Sequence, residues 1–160
     1  MLAGAHFLIG SSLSVLYSKN YLSAFLMGLV SHHLMDRLPH LDLNIFKKDD
    51  VLFKDKNPKA WILTISEFIL FLLLTFYLLS RFDFTLQKIA VIGGIGGILP
   101  DILILIFTRI AFLKRFFSFY ITFHKNFHFR LKNKNILFPF LVQTFFILLA
   151  ILILSKDIGY

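Results

Sequence analysis

The sequence contains no cysteine, four prolines and few charged residues, and each shortage limits what the protein can be. The absence of cysteine excludes disulfides and cysteine-based metal sites. Charged residues are 16% of the 160 residues, whereas soluble domains have about 25%. Hydrophobic residues are 58% of the chain. This composition indicates a membrane protein, and the length and the lack of a low-complexity linker predict a single domain, residues 1–160.

The net charge is +8, which in a soluble protein would suggest nucleic acid as a partner. In a chain this apolar, an anionic membrane surface is the nearer explanation. The predicted partners are therefore the lipid bilayer and anionic lipid headgroups, and no nucleic acid is expected. A homo-oligomer and a partner membrane subunit both stay open as alternatives.

Apolar runs predict an all-α, polytopic membrane bundle of about five helices that begins with a helical hairpin. The predicted helices are Leu2–Tyr17, Tyr21–Leu38, Ala60–Ser80, Ile89–Phe107 and Ile136–Leu154. The first is short, about 24 Å at 1.5 Å per residue, so whether it fully spans the membrane stays open. Pro100 is expected to interrupt the fourth helix and to open its backbone locally.

The distribution of basic residues predicts the orientation of the chain in the cell membrane. With five crossings, the side of the N-terminus holds 13 of the 17 Lys and Arg residues. The positive-inside rule makes that side cytoplasmic. The segment 109–135 is both basic and aromatic, which is typical of a stretch that lies at the membrane surface.

Small and ionisable residues share one face in three of the predicted helices, because residues four apart are neighbours on a helix. These stripes are His6, Gly10 and Ser14 in the first helix, Gly28, His32 and Asp36 in the second, and Gly93, Gly97 and Asp101 in the fourth. Small residues let membrane helices approach closely. All six histidines, with Asp36, Asp42, Glu67 and Asp101, fall in the cytoplasmic half. Ionised groups at membrane depth are costly unless paired or metal-bound, so this clustering indicates a functional site.

Histidine and carboxylate are ligands for zinc and similar divalent metals. His32 and Asp36 can reach one ion from one helix face, and His33 with Asp36 is the alternative pair. Helix periodicity favours His32, because it shares a face with Asp36. His40 follows Pro39 and is free to fold back towards this pair.

Other polar residues have a structural interpretation beside a functional one. His6 fits a hydrogen bond between helices as well as a metal site. Glu67 fits either a site member or the partner of a nearby cation. His124 and His128 have the spacing of a zincin helix, but Lys125 stands where that motif needs Glu. The pair is therefore either a contact to lipid headgroups or a metal pair.

The segments 31–40 (SHHLMDRLPH) and 97–101 (GILPD), with His6 near the start, resemble the inner-membrane metal-dependent hydrolase family that includes the LexA-regulated member. They are more distantly similar to zinc-dependent phospholipase C-like proteins. The resemblance covers short motifs. It implies metal ligands at His6, His32, Asp36 and Asp101, and less directly at His40.

The leading hypothesis is a membrane-embedded hydrolase that uses a divalent metal, with zinc expected, at the cytoplasmic headgroup level, on a lipid phosphoester. Its predicted ligands are His6, His32, Asp36 and Asp101, with His40 or Glu67 as a further ligand or general base. The competing hypothesis is a non-enzymatic membrane scaffold, or a small proton- or ion-handling module, with a buried His, Asp and Glu core.

Overall fold

The computed structural model describes residues 3–40, 58–129 and 136–156, and for residues 58–61 it describes the backbone alone. The described residues are almost entirely helical. They form α1 (Ala3–Tyr17), α2 (Tyr21–Arg37), α3 (Pro58–Leu79), α4 (Phe84–Arg109), α5 (Ala111–Phe116), α6 (Ser118–Phe127) and α7 (Leu137–Ser155). The all-α prediction is therefore confirmed. Asp42 and most of the predicted polar connection before α3 lie outside the described residues.

The first two helices are separated by a short turn that contains a reciprocal cap. The side chain of Asn20 accepts a hydrogen bond from the backbone N–H of Ser23 at 2.9 Å, and the Ser23 hydroxyl accepts from the Asn20 N–H at 3.3 Å. This capping box starts α2. The helix ends at Arg37 because the residue before a proline disfavours the helical region, and Leu38 is extended (φ −79°, ψ 152°).

Three helices are long and apolar enough to cross a membrane: α4, α7 and the stretch Ile62–Leu79 of α3. Helix α4 begins five residues earlier than the sequence predicted, because Asp83 caps it by accepting from the N–H groups of Thr85 and Leu86. It then runs without interruption through Pro100 for 26 residues. The expected break at Pro100 was therefore wrong. Membrane helices tolerate internal proline where neighbouring groups compensate for the lost hydrogen bond.

Helix α1 lies inside the bundle and contacts α2, α3, α4 and α7. The close approach of both α1 and α2 to α4 depends on glycine. A Cβ on Gly28 would collide with the carbonyl oxygen of Gly93, and a Cβ on Gly97 would come within 2.5 Å of the carbonyl oxygen of His6. These contacts bring the start of α1, the end of α2 and the second half of α4 to one end of the bundle.

The basic and aromatic segment contains two short helices rather than one continuous stretch. The chain bends at the extended residue Ile110, and the rings of Phe107 and Phe117 stack with centroids 4.1 Å apart across the bend. Helix α6 buries Ile121 and His124, while Phe119 on its outer face is 84% exposed. The inner face of α6 therefore packs against the end of the bundle where the ionisable residues of α1, α2 and α4 meet.

Candidate metal centre

The Asp36 carboxylate, at the end of α2, is the centre of the cluster and is almost fully buried. Its two oxygens face different histidines. His6 Nε2, from α1, lies 3.1 Å from Asp36 Oδ1, and His32 Nε2, one turn earlier on α2, lies 3.1 Å from Asp36 Oδ2. Both histidines are themselves buried. A buried carboxylate requires such partners, because an isolated charge is strongly disfavoured away from water.

Asp101 and His124 complete a group of four ligands on the Oδ2 side of Asp36. Asp101 Oδ1 lies 3.8 Å from His32 Nε2 and 3.7 Å from His124 Nε2. His124 Nε2 lies 3.9 Å from Asp36 Oδ2. All four ligand atoms fall within 4.8 Å of one another. Ligands about 2.0–2.2 Å from a tetrahedral zinc ion lie about 3.4 Å apart, so these side chains fit such an ion with small adjustments.

The orientation of His32 is the most informative feature of this group. Its Nδ1 lies 2.7 Å from the carbonyl oxygen of Gly97, which can only accept a hydrogen bond. The proton of the neutral ring is therefore on Nδ1, and Nε2 presents a lone pair to Asp36 and Asp101. That nitrogen has no hydrogen-bond partner among the described residues. A lone pair beside two carboxylates is repulsive, so a proton or a metal cation is needed there.

Metal-binding histidines usually donate their second ring nitrogen to a carbonyl or carboxylate, which fixes the ring and its tautomer. His32 has this arrangement with Gly97. His40 has it with the carbonyl of Leu38 at 2.7 Å, and His128 with that of Phe129 at 2.9 Å. The buried His and Asp residues could therefore hold a metal ion by ligand type, spacing and orientation.

His128 lies on the Oδ1 side of Asp36, and His40 joins these two residues in a second group. Their rings are 4.8 Å apart between centroids, and His128 Nε2 lies 3.7 Å from Asp36 Oδ1. Burial lowers the pKa of His40 to about 4, despite the opposing charge of Asp36. Burial likewise lowers the pKa of His124 to about 4. Both rings are therefore neutral at pH 7, the state in which histidine coordinates a metal.

The structure brings five of the six predicted site residues to Asp36 or its neighbours and places Glu67 elsewhere. The Glu67 carboxylate accepts hydrogen bonds from the backbone N–H groups of Gly4 (3.2 Å) and Ala5 (3.1 Å). It therefore satisfies donors at the start of α1, where a negative charge is also favourable for the helix dipole. Glu67 belongs to none of the metal-capable groups found in the described part of the chain.

His6 contacts the cluster differently from the other predicted ligands. It lies on Asp36 Oδ1 and stacks on His32 with ring centroids 4.2 Å apart, but it is outside the group of four. His33, the alternative to His32, is half-buried and joins His32 and His124 in a third potential group. His32 is the fully buried one of the two and the one that faces Asp36.

His124 and His128 were left undecided by the sequence, and the structure places both beside Asp36. Their spacing of four residues puts them on one face of α6, which was the available signal. Their approach to α2 depends on tertiary packing, including a backbone hydrogen bond from Phe129 N–H to the carbonyl oxygen of Asp36.

The chain matches no protein-family profile, no curated protein and no solved structure. The hydrolase resemblance of its short motifs therefore stays a prediction, and function has to be argued from the geometry of the centre.

Proposed function

We propose that this protein is a membrane-embedded hydrolase that uses a divalent metal, with zinc expected, on a lipid phosphoester. The observation that carries the proposal is the His32 lone pair directed at two carboxylates. A metal ion between His32, Asp36, Asp101 and His124 would convert that repulsion into coordination. A divalent ion held there would supply a Lewis acid for a phosphoryl oxygen and would increase the acidity of water.

The proposed location is the cytoplasmic headgroup level of a multi-pass protein. Helices α3, α4 and α7 have the length and composition to span, and the α1–α2 hairpin would add two crossings. The bias of Lys and Arg towards the end that holds the cluster supports a cytoplasmic position. Exposed aromatic residues on α5 and α6, such as Phe112 and Phe119, support contact with the membrane surface.

The exposure of the ligands supports access from that surface. His32 and Asp36 are buried, whereas the Asp101 side chain is 35% exposed, so substrate would approach past Asp101. Exposed Arg37 and Lys125 lie on the elements that contribute ligands, α2 and α6. Their charge would attract an anionic headgroup.

One experiment tests the metal and a second tests the chemistry. Metal content per chain is measured by elemental mass spectrometry on detergent-purified wild type and on the double variant His32→Ala with Asp36→Ala. The proposal expects stoichiometric zinc in the wild type and its loss in the variant. Headgroup release from anionic liposomes of phosphatidylglycerol is then followed with and without added zinc. Release that stays at background in the zinc-loaded wild type would contradict a hydrolase acting on this class of lipid.

A proton-handling module is the second candidate, and one observation favours it. The rings of His6, His32, His124, His128 and His40 follow one another with centroids 4.2–5.9 Å apart, and chains of histidine and carboxylate side chains inside membrane proteins also serve as proton relays. The absence of metal from both the wild type and the double variant, each with helical content intact, would favour this function over the hydrolase.

A further inference from the structure

The Asp36 carboxylate separates two sets of ligands, and the group of four uses one of them. Its Oδ2 faces His32 and His124, while its Oδ1 faces His128 at 3.7 Å. His40 forms a group with His128 and Asp36, and the three ligand atoms lie within 4.8 Å of one another. A carboxylate that has histidine nitrogens near each of its two oxygens is arranged to bridge two metal ions.

His40 gives an independent indication of a ligand in this second group. The residue is 3% exposed, and its Nδ1 donates to the carbonyl oxygen of Leu38. Its Nε2 therefore presents a lone pair, and this buried atom has no hydrogen-bond partner among the described residues. Leaving a buried polar atom unsatisfied is costly, so a bound cation or donor is expected at this position.

The orientation of His128 matches that of His40. Its Nδ1 is 2.9 Å from the carbonyl oxygen of Phe129, so its Nε2 lone pair is directed towards Asp36 Oδ1. The two histidines reach Asp36 from different parts of the chain, one after α2 and one after α6. Both are fixed by a backbone carbonyl in the way that metal ligands usually are.

We infer that the centre binds two divalent metal ions, with the Asp36 carboxylate bridging them and His40 and His128 holding the second. This inference rests on the proposed function and extends it. Two-metal sites with ions about 3.5–4 Å apart stabilise both the attacking and the leaving oxygen of a phosphoester during in-line displacement. His6 donates to Asp36 Oδ1 at 3.1 Å and is a positioning residue for the bridge.

The number of ligands distinguishes the two positions. The first has four protein ligands and would take a phosphoryl oxygen as a fifth, which catalytic zinc sites allow, whereas the second has three, which leaves one position open. Two divalent ions held by two carboxylates also leave a net positive charge, which suits an anionic phosphate ester.

Stoichiometry with Zn²⁺ as the probe tests this inference on the full chain in detergent. Chelator-treated protein is loaded with Zn²⁺, desalted and analysed for metal per chain. The expected values are two in the wild type, one in the double variant His40→Ala with His128→Ala, and one in the double variant His124→Ala with Asp101→Asn. Circular dichroism and elution volume confirm that each variant keeps its fold.

Loading the wild type with Mn²⁺ gives a measurement that needs no variant. A bridged pair produces an exchange-coupled electron paramagnetic resonance spectrum, whereas a single site produces that of an isolated ion. One metal per wild-type chain, retained in the His40 and His128 double variant, with an uncoupled Mn²⁺ spectrum, would overturn the second site and leave the proposed function standing. No metal in the wild type would overturn both.

Discussion

The backbone N–H of Phe129 donates a hydrogen bond to the carbonyl oxygen of Asp36 at 2.6 Å. This bond joins the segment after α6 to the last turn of α2. It also places His128, the preceding residue, beside the Asp36 carboxylate. One backbone contact therefore links the packing of the basic and aromatic segment to the geometry of the candidate metal centre.

We expect removal of that donor to weaken metal binding at the proposed second position. Phe129→Pro eliminates the N–H, and the preceding residue His128 already has the extended backbone (φ −73°, ψ 131°) that precedes proline. We expect Zn²⁺ affinity at the second position to fall by about 10- to 100-fold, the range for loss of supporting contacts around metal ligands. Phe129→Ala keeps the N–H and serves as the control in the same titration. Equal affinities in the two variants would contradict the role of this bond.

Replacing Asp101 tests the proposed first metal position. Asp101→Asn keeps the size of the side chain but removes its charge, so metal affinity at this position falls by at least about 100-fold. Asp83→Asn is the matched control, because Asp83 caps α4 at its opposite end and Asn caps helices equally well. Competition with a chromogenic zinc chelator measures both. If Asp83→Asn weakened binding as much as Asp101→Asn did, the assigned ligand would be wrong.

Glu67 is expected to matter for stability rather than for metal binding. Glu67→Gln keeps an oxygen acceptor for the start of α1 but loses the charge that strengthens its hydrogen bonds to Gly4 and Ala5. We expect the variant to be less stable by about 1–2 kcal/mol, with unchanged zinc content. Thermal unfolding in detergent and elemental analysis give the two values. Loss of zinc at an unchanged melting temperature would instead identify Glu67 as a ligand.

Much of the fold and part of the site could be predicted from local patterns. Hydrophobic runs located the three helices that are long and apolar enough to cross a membrane, and spacing by four placed His32 and Asp36 on one face with Gly28. The same rules could not assign His124 or His128, because their position beside Asp36 depends on how α6 packs against α2 and α4. They also could not predict that the backbone N–H groups at the start of α1 would bind Glu67.

The close contact of α2 with α4 makes Gly28 a critical position for both stability and metal binding. In Gly28→Ala the new Cβ would meet the backbone of Gly93, which cannot move aside as a side chain would. We expect a loss of about 1–3 kcal/mol in stability. We also expect weaker zinc binding, because a displaced α2 would move His32 and Asp36 away from Asp101. Val30→Leu, which enlarges an exposed residue of the same helix, is the control. If Gly28→Ala kept the melting temperature and the zinc affinity of the wild type, the helices would not be packed this closely.

Acid should destabilise the metal-free protein within a defined pH range. Burial holds the pKa of His40 and that of His124 at about 4 in the folded protein, whereas an unfolded histidine has a pKa of about 6.5. Between these values the unfolded chain binds more protons than the folded one, so stability falls as the pH decreases from about 6.5 to about 4. Above that range neither histidine contributes a pH dependence.

The measurement is the melting temperature of chelator-treated protein in a nonionic detergent from pH 7.5 to 4.5. His40→Gln removes one of the two groups, so its melting temperature should fall less steeply than that of the wild type. A wild-type melting temperature that stayed constant or rose on acidification would mean that these histidines are not buried in the neutral state.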